Sequence, residues 1–401
     1  MAIINGDNLP NALVGIVDPL GSIPDQDDTF NGFGGNDVIN ALDTNDTLNG
    51  GDGVDYLYAG AGNDTLNGGN DVDYLFASSG NDRLDGGAGN DELNSRTGDD
   101  ILIGGTGDDE MSGGEDNDTY YVDSPGDVVI EDINDVIGGT ADRVYFGGVH
   151  PSGTAFDIGG SGVEELILTG TSNLFAFGND KDNLIIGNDG INSITSGVGD
   201  DRIAGGAGPD TLSSTTGNDF LKGGLGDDTL LGGDDDDILD GGEGDDTLSG
   251  GRGTDRLVGG DGLDELSGSE GDDVLGGGNG DDLLQGGNGR DRKFGGAGND
   301  IFDYFSASHS VVGEQRDFIW EIEPGDKIDL SSPILTSSPL EFIGANNFTG
   351  VGQVRYASQA EGGAIVQVTL PGTIGGNDLI PDMEIEIGLA DSGLNAANFI
   401  L

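Results

Sequence analysis

Residues 50–94 read GGDGVDYLYAGAGNDTLNGGNDVDYLFASSGNDRLDGGAGNDELN, one nine-residue phrase stated five times. The phrase is Gly-Gly-x-Gly-x-Asp-x-apolar-x. Followed outward, it runs without insertion through residues 32–121, ten nonads, and resumes through 187–303 for thirteen more, with clean copies GGAGPDTLS at 205–213 and GGEGDDTLS at 241–249. Its sixth position holds Asp37, Asp46, Asp55, Asp64, Asp73, Asp82, Asp91, Asp100, Asp109 and Asp118 in the first block. In the second block, Asn192 is followed by Asp201, Asp210, Asp219, Asp228, Asp237, Asp246, Asp255, Asp264, Asp273, Asp282, Asp291 and Asp300. The eighth position is apolar throughout, from Ile39 and Leu48 to Leu284 and Phe302, except at Lys293, for which the sequence suggests no reason.

A fixed period of nine with this signature predicts an all-β, parallel β-helix solenoid. Side chains alternate between the faces of a strand, so a three-residue x-apolar-x strand would point one apolar side chain inward and give a thin core. The preceding Gly-Gly-x-Gly must turn sharply, which glycine does at positive φ without steric cost, leaving backbone carbonyls exposed. Several carbonyls and a carboxylate suit a hard cation that takes six to eight oxygens in flexible geometry, which favours calcium over magnesium. Zinc would want Cys or His, and the chain has no Cys and two His.

These nonads resemble the RTX (repeats in toxin) β-roll of secreted bacterial proteases, lipases, cytolysins and surface proteins. The resemblance implies a right-handed coil of two nonads, with calcium ions between loops stacked on one side, held by loop carbonyls and the position-six carboxylates. Asp55 would then work with the loop that contains Asp73. Carried over, the position-six aspartates named above are expected metal ligands. In the first block they are joined by the loop glycines Gly50, Gly51, Gly53, Gly62, Gly86, Gly87, Gly89, Gly104, Gly105 and Gly107. In the second, the expected partners are Gly205, Gly206, Gly208, Gly223, Gly224, Gly226, Gly241, Gly242, Gly244, Gly250, Gly251 and Gly253.

Composition fits that expectation. A formal charge of −62, from 76 acidic and 14 basic residues, opposes compaction unless cations are bound. On the order of nineteen sandwiched ions would supply roughly +38 against it, and metal binding and folding would be one equilibrium. Nucleic acid and anionic membrane surfaces recruit basic patches, so neither is an expected partner. Eighty glycines could instead mean low-complexity disorder, but the periodic apolar residue argues against permanent disorder, and glycine does not recur every third residue as in collagen. With no cysteine there is no disulfide to stabilise the chain outside a cell.

The flanks read differently. Residues 1–31, opening MAIINGDNLPNALVG, lack a basic n-region and look like a degenerate repeat capping the solenoid; nothing in the chain approaches the apolar length of a transmembrane helix. Between the blocks, 122–186 forms a β-rich spacer with expected strands at Asp127 to Glu131, Arg143 to Phe146 and Glu165 to Thr169, resembling the longer coils that connect RTX blocks. From 304 to 401 the segments DFIWEIEPGDKIDLSS, AIVQVTL and DMEIEIGL alternate like conventional strands, with a turn at 324–326. With the last nonad GGAGNDIFD at 295–303, they resemble the carboxy-terminal cap of serralysin-type metalloproteases. That family leaves the cell through a type I (ABC transporter) exporter that reads an uncleaved carboxy-terminal signal, here ending Asn398-Phe399-Ile400-Leu401, where the family commonly has an acidic residue before the apolar ones.

Catalytic patterns are missing. There is no HExxH helix, no GxSxG elbow, no Cys nucleophile and no GxxxxGK[ST] loop; His150 and His309 read as incidental surface residues. The expected function is a secreted, extracellular calcium-binding surface, matrix or interaction protein, free-standing given its Met start and carboxy-terminal cap, partnered by its exporter and by self-assembly or a cell-surface glycan. The alternatives are a non-catalytic module of a secreted polysaccharide-modifying system and a toxin relative. Tyr56, Tyr58, Tyr74 and Phe76, flanking neighbouring coils, are expected to pack across coils or to form an outward ladder for a sugar.

Overall fold

Alternation along each nonad sets the architecture. In the computed structural model, Leu48 and Gly50 of the strand Thr47–Asp52 face inward, while Thr47, Asn49 and Asp52 sit on the outer side. The structure describes residues 3–14, 27–131, 141–148, 150–151, 154–305, 316–331, 341–344, 353–358, 364–369, 383–389, 394 and 396–401. Leu48 pairs with Leu66 in one parallel sheet, and Leu57 with Leu75 in another. The chain therefore returns every eighteen residues, two nonads to a coil, and the protein is an all-β parallel solenoid of the β-roll type.

Strands are longer than the three residues expected. Thr47–Asp52, Tyr56–Ala61 and Ile238–Glu243 each span six, because pairing continues through the glycines, with Gly51 opposite Gly69 and Asp52 opposite Asn70. A glycine backbone carries the same donor and acceptor as any other, so the ladder has no reason to stop at the apolar residue. The core accordingly has two inward columns instead of one. Leu48, Leu57, Leu66 and Leu75 are fully buried, and beside them runs a column of small residues such as Ala41, Ala59, Ala77 and Ser95.

The register imposes left-handed backbone at positions two and four of the nonad. Gly51 and Gly53 have φ of 115° and 117°. Phe33, Leu42, Ser78, Arg96 and Ser269 take positive φ at position two, and Thr44, Asp71, Asp116 and Asp235 at position four, despite carrying a Cβ. Coil stacking dictates the conformation there, and glycine is the residue that adopts it at least cost.

By contacts the chain forms two units, Met1–Asn188 and Asp189–Leu401. In the first, the short strands Ile3–Asn5 and Ala12–Val14 pair in parallel with Thr29–Gly34 and Val38–Asp43. Expected spacer strands are present as Val128–Ile130, Arg143–Phe146 and Glu165–Leu168. Coils lengthen there, since Tyr120 pairs with Val144, Val144 with Leu166, and Leu166 with Ile185. In the second unit the parallel ladder does not stop at residue 303. Lys293 pairs with Ile319, Phe302 with Ile328, and Ile328 with Phe399, so the carboxy-terminal region continues the parallel ladder with segments that precede and follow its antiparallel strands Gln353–Ser358, Ala364–Thr369 and Met383–Leu389. Val366 and Val368 face the core there, as the alternation predicts. No helix among the described residues is long and apolar enough to cross a membrane.

Candidate metal centres

Where the turn delivers the chain back to the next strand, position six is drawn inward, and its carboxylate meets the same residue of the neighbouring coil. The Asp37 N–H donates to Asp55 Oδ1 at 2.7 Å, Asp55 to Asp73 at 2.8 Å, Asp73 to Asp91 at 2.8 Å and Asp91 to Asp109 at 2.8 Å. A second ladder runs from Asp28 through Asp46, Asp64, Asp82 and Asp100 to Asp118. The second unit repeats the arrangement, from Asn192 through Asp210, Asp228, Asp246, Asp264 and Asp282 to Asp300, and from Asp201 through Asp219, Asp237, Asp255 and Asp273 to Asp291.

One carboxylate oxygen is thus spent on the ladder. The other, Oδ2, is buried and accepts no hydrogen bond in Asp37, Asp55, Asp64, Asp73, Asp82, Asp91, Asp100, Asp109 and Asp118, nor in every ninth residue from Asp210 to Asp300. It lies over the first glycine of its own nonad. A Cβ built on Gly50 would collide with Asp55 Oδ2 and stand 2.7 Å from the Gly68 carbonyl oxygen, and Gly86, Gly104, Gly205, Gly223, Gly241 and Gly250 meet their own aspartates in the same way. The second and fourth glycines face carbonyls of the preceding coil. Gly51 meets the Phe33 oxygen, and a Cβ on Gly53 would stand 2.6 Å from the Gly35 oxygen. The same close approach holds at Gly62, Gly87, Gly89, Gly105 and Gly107, and at Gly208, Gly224, Gly226, Gly242, Gly244, Gly251 and Gly253.

Stacked carboxylates in a dry interior resist ionisation. Burial pushes Asp73 up to about 8, with the neighbouring charges of Asp55 and Asp91 adding to it against the hydrogen bond from the Asp55 N–H. Burial likewise brings Asp273 to about 8 and Asp237 to about 7. The donor set is therefore oxygen only, anionic at a cost, and short of positive charge, which fits calcium.

The RTX calcium-binding nonapeptide repeat matches residues 25–48, 31–66, 41–75, 67–102 and 95–124, then 177–212, 213–248, 249–284 and 267–302, more than half of the chain. The chain belongs to the RTX calcium-binding repeat family. Among solved structures, this chain is similar to the AlgE6R3 subunit from the Azotobacter vinelandii mannuronan C5-epimerase, at 25% identity over 42% of this chain and 78% of that one, with a TM-score of 0.27. No curated protein sequence matches the chain.

Every RTX ladder ends on an aspartate outside the nonads. Asp109 donates to Asp127 Oδ1 at 2.9 Å, Asp118 to Asp142 at 2.8 Å, Asp291 to Asp317 at 3.1 Å and Asp300 to Asp326 at 3.0 Å. Sequence reading missed these four as site residues, because the Gly-Gly-x-Gly phrase is lost at all of them and the eighteen-residue spacing is kept only at Asp127. Each keeps the fragment Asp-x-apolar, as in Asp127-Val128-Val129 and Asp326-Lys327-Ile328, and that fragment is the signal that could have found them. At the last RTX coil, Lys293 is fully buried; its Nζ donates to Asp317 Oδ2 at 2.9 Å and lies 3.8 Å from the centre of the Tyr304 ring.

Outside the ladders, His150 is more than an incidental surface group: its ring stacks on Phe146 and its Nε2 lies 3.0 Å from the Gly147 oxygen. His309 lies outside the described residues. Tyr56 stacks on Tyr74 at 4.6 Å and Tyr58 on Phe76 at 5.2 Å, which is cross-coil packing on the outer face.

Proposed function

We propose that this chain is a secreted calcium-binding protein of the cell surface or extracellular matrix, whose RTX blocks fold only where calcium is plentiful. The observation that carries the reading is the file of buried position-six carboxylates whose Oδ2 has no hydrogen-bond partner. Calcium held by these oxygens and by the loop carbonyls would supply the charge that the folded chain otherwise lacks. The chain's own residues supply the rest: the first glycine makes room for the carboxylate, the second and fourth let carbonyls approach the next loop, and the Oδ1 ladder fixes each carboxylate's orientation.

Calcium-scarce cytosol would leave such weak loops, with dissociation constants of roughly 0.1 to 1 mM, empty and the chain threadable through a type I exporter. The carboxy-terminal region, with its serralysin-like sequence, would carry the signal. In the folded protein Phe399–Ile400 is paired to Lys327–Asp329 and the Lys327 ammonium donates to the Ala397 oxygen, so an exporter would have to read this end before folding. The role is non-catalytic, with a surface partner or self-assembly as its purpose.

Far-UV circular dichroism during a calcium titration, from chelator to several millimolar with magnesium as control, tests the reading. A cooperative gain of β signal specific to calcium is expected. A chain already folded in chelator at pH 8 would sink it.

A further inference from the structure

We infer that Asp118, Glu131 and Asp142, where the first RTX block meets the spacer, form a separate calcium site of higher charge than the loop sites. One carboxylate oxygen from each lies within 4.8 Å of the others, and all three residues are buried. The site is built by the irregular coil. Asp118 closes its ladder on Asp142 twenty-four residues on, in place of the usual eighteen, and Glu131, which follows the strand Val128–Ile130, is buried beside them.

Two further observations point to a ligand there. Asp118 Oδ2 is fully buried and accepts no hydrogen bond. It is aimed at the cluster, since a Cβ built on Gly113 would collide at once with Asp118 Oδ2 and with Tyr120 Oη, and that hydroxyl donates to Glu131 Oε1. Tyr120 stands in the eighth position, where most nonads carry Leu or Ile, so a polar atom has been brought into the core beside the three carboxylates. Its hydroxyl accepts the Gly113 N–H at 2.7 Å, and the two bonds fix the orientation of Glu131. Three buried carboxylates brought this close repel one another, and a divalent cation removes that penalty. Three carboxylates and no nitrogen or sulfur select a hard ion, and calcium's tolerance of irregular geometry fits a site made from an irregular coil.

The site rests on the RTX reading for its ion and for Asp118, but not for Glu131 and Asp142, which lie outside the nonads. The test uses the full chain folded in millimolar calcium and titrated with terbium, with excitation at the tyrosine band. Tyr120, hydrogen-bonded to a ligand, should sensitise terbium bound here. A luminescence component that fills at low terbium is expected. E131Q and D142N should move its half-saturation about tenfold higher, because affinity at oxygen sites follows ligand charge, while Y120F should remove most of its emission. Each variant keeps its far-UV signal in calcium, which separates loss of the site from loss of the fold. Unchanged half-saturation in both carboxylate variants, or unchanged emission in Y120F, overturns the site. If the carboxylates merely share protons, E131Q will raise metal-free stability without shifting terbium, which also overturns it. Absence of any calcium-dependent β signal in the wild type would count against the RTX folding reading alone; the terbium shift still decides the site.

Discussion

Lys293 is the residue where the sequence pattern breaks and the structure supplies the reason. Along its ladder from Asp219 to Asp273, carboxylates stack on one another's N–H groups, but here an ammonium from the core side reaches Asp317 and lies on the Tyr304 ring. Burial raises Asp317, and Lys293 opposes that rise. The coil spacing has just stretched, so the chain supplies its own positive charge at that step. K293M should cost about 3–5 kcal/mol, because it takes the cation away from a buried carboxylate, read by urea unfolding in saturating calcium. K293M/D317N should recover most of the loss, since Asn keeps the Oδ1 that accepts the Asp291 N–H. If the double variant is as unstable as the single, the pair is not what stabilises this coil. The sequence marked Lys293 as a departure, but its partner sits twenty-four residues away in a segment without nonads, where no period could point to it.

At the scale of the coil, carboxylates of unlike sequence context share one electrostatic problem, and it sets the pH response. Asp73, Asp237 and Asp273 titrate in the metal-free fold at about 8, 7 and 8, against an ordinary 3.8. A raised carboxyl pKa means that the folded state holds its proton where the unfolded chain has released it. Metal-free stability is therefore greatest below about 4 and falls as pH rises toward about 8. Two outcomes are expected. In chelator, β signal should increase as pH is lowered from 8 toward 4. In calcium, the midpoint should move to higher calcium over the same range, because protons and calcium compete for the same oxygens. A calcium midpoint independent of pH would show that these carboxylates are not the ligands. The coil also displays what was legible beforehand. Position eight was readable as core because burial needs an apolar side chain, whereas the inward facing of position one was not, because a glycine that makes room for a carboxylate looks in sequence like a glycine that makes a turn.

Across the whole chain, irregular segments do the work of starting and ending regular ones. Removing residues 304–401 would take away Asp317 and Asp326, the acceptors for Asp291 and Asp300, and strand the Lys293 charge in the core. A chain truncated after residue 303 should need several-fold more calcium to fold and should fold more slowly, measured by stopped-flow circular dichroism. Equal midpoints and rates would mean that the carboxy-terminal region does not nucleate the roll. The sequence by itself determined the all-β solenoid and the oxygen donors that suit calcium, because a period of nine is a local constraint that every copy states again, while the two-nonad coil came with the RTX resemblance. Only the tertiary structure decided how the ladders end, on Asp127, Asp142, Asp317 and Asp326, and which buried groups gather there, Tyr120 with Glu131 and Lys293 with Tyr304. Apart from Asp109 with Asp127, which keeps the eighteen-residue step, those contacts join residues whose separation follows no repeat, so they exist only once the coils are stacked.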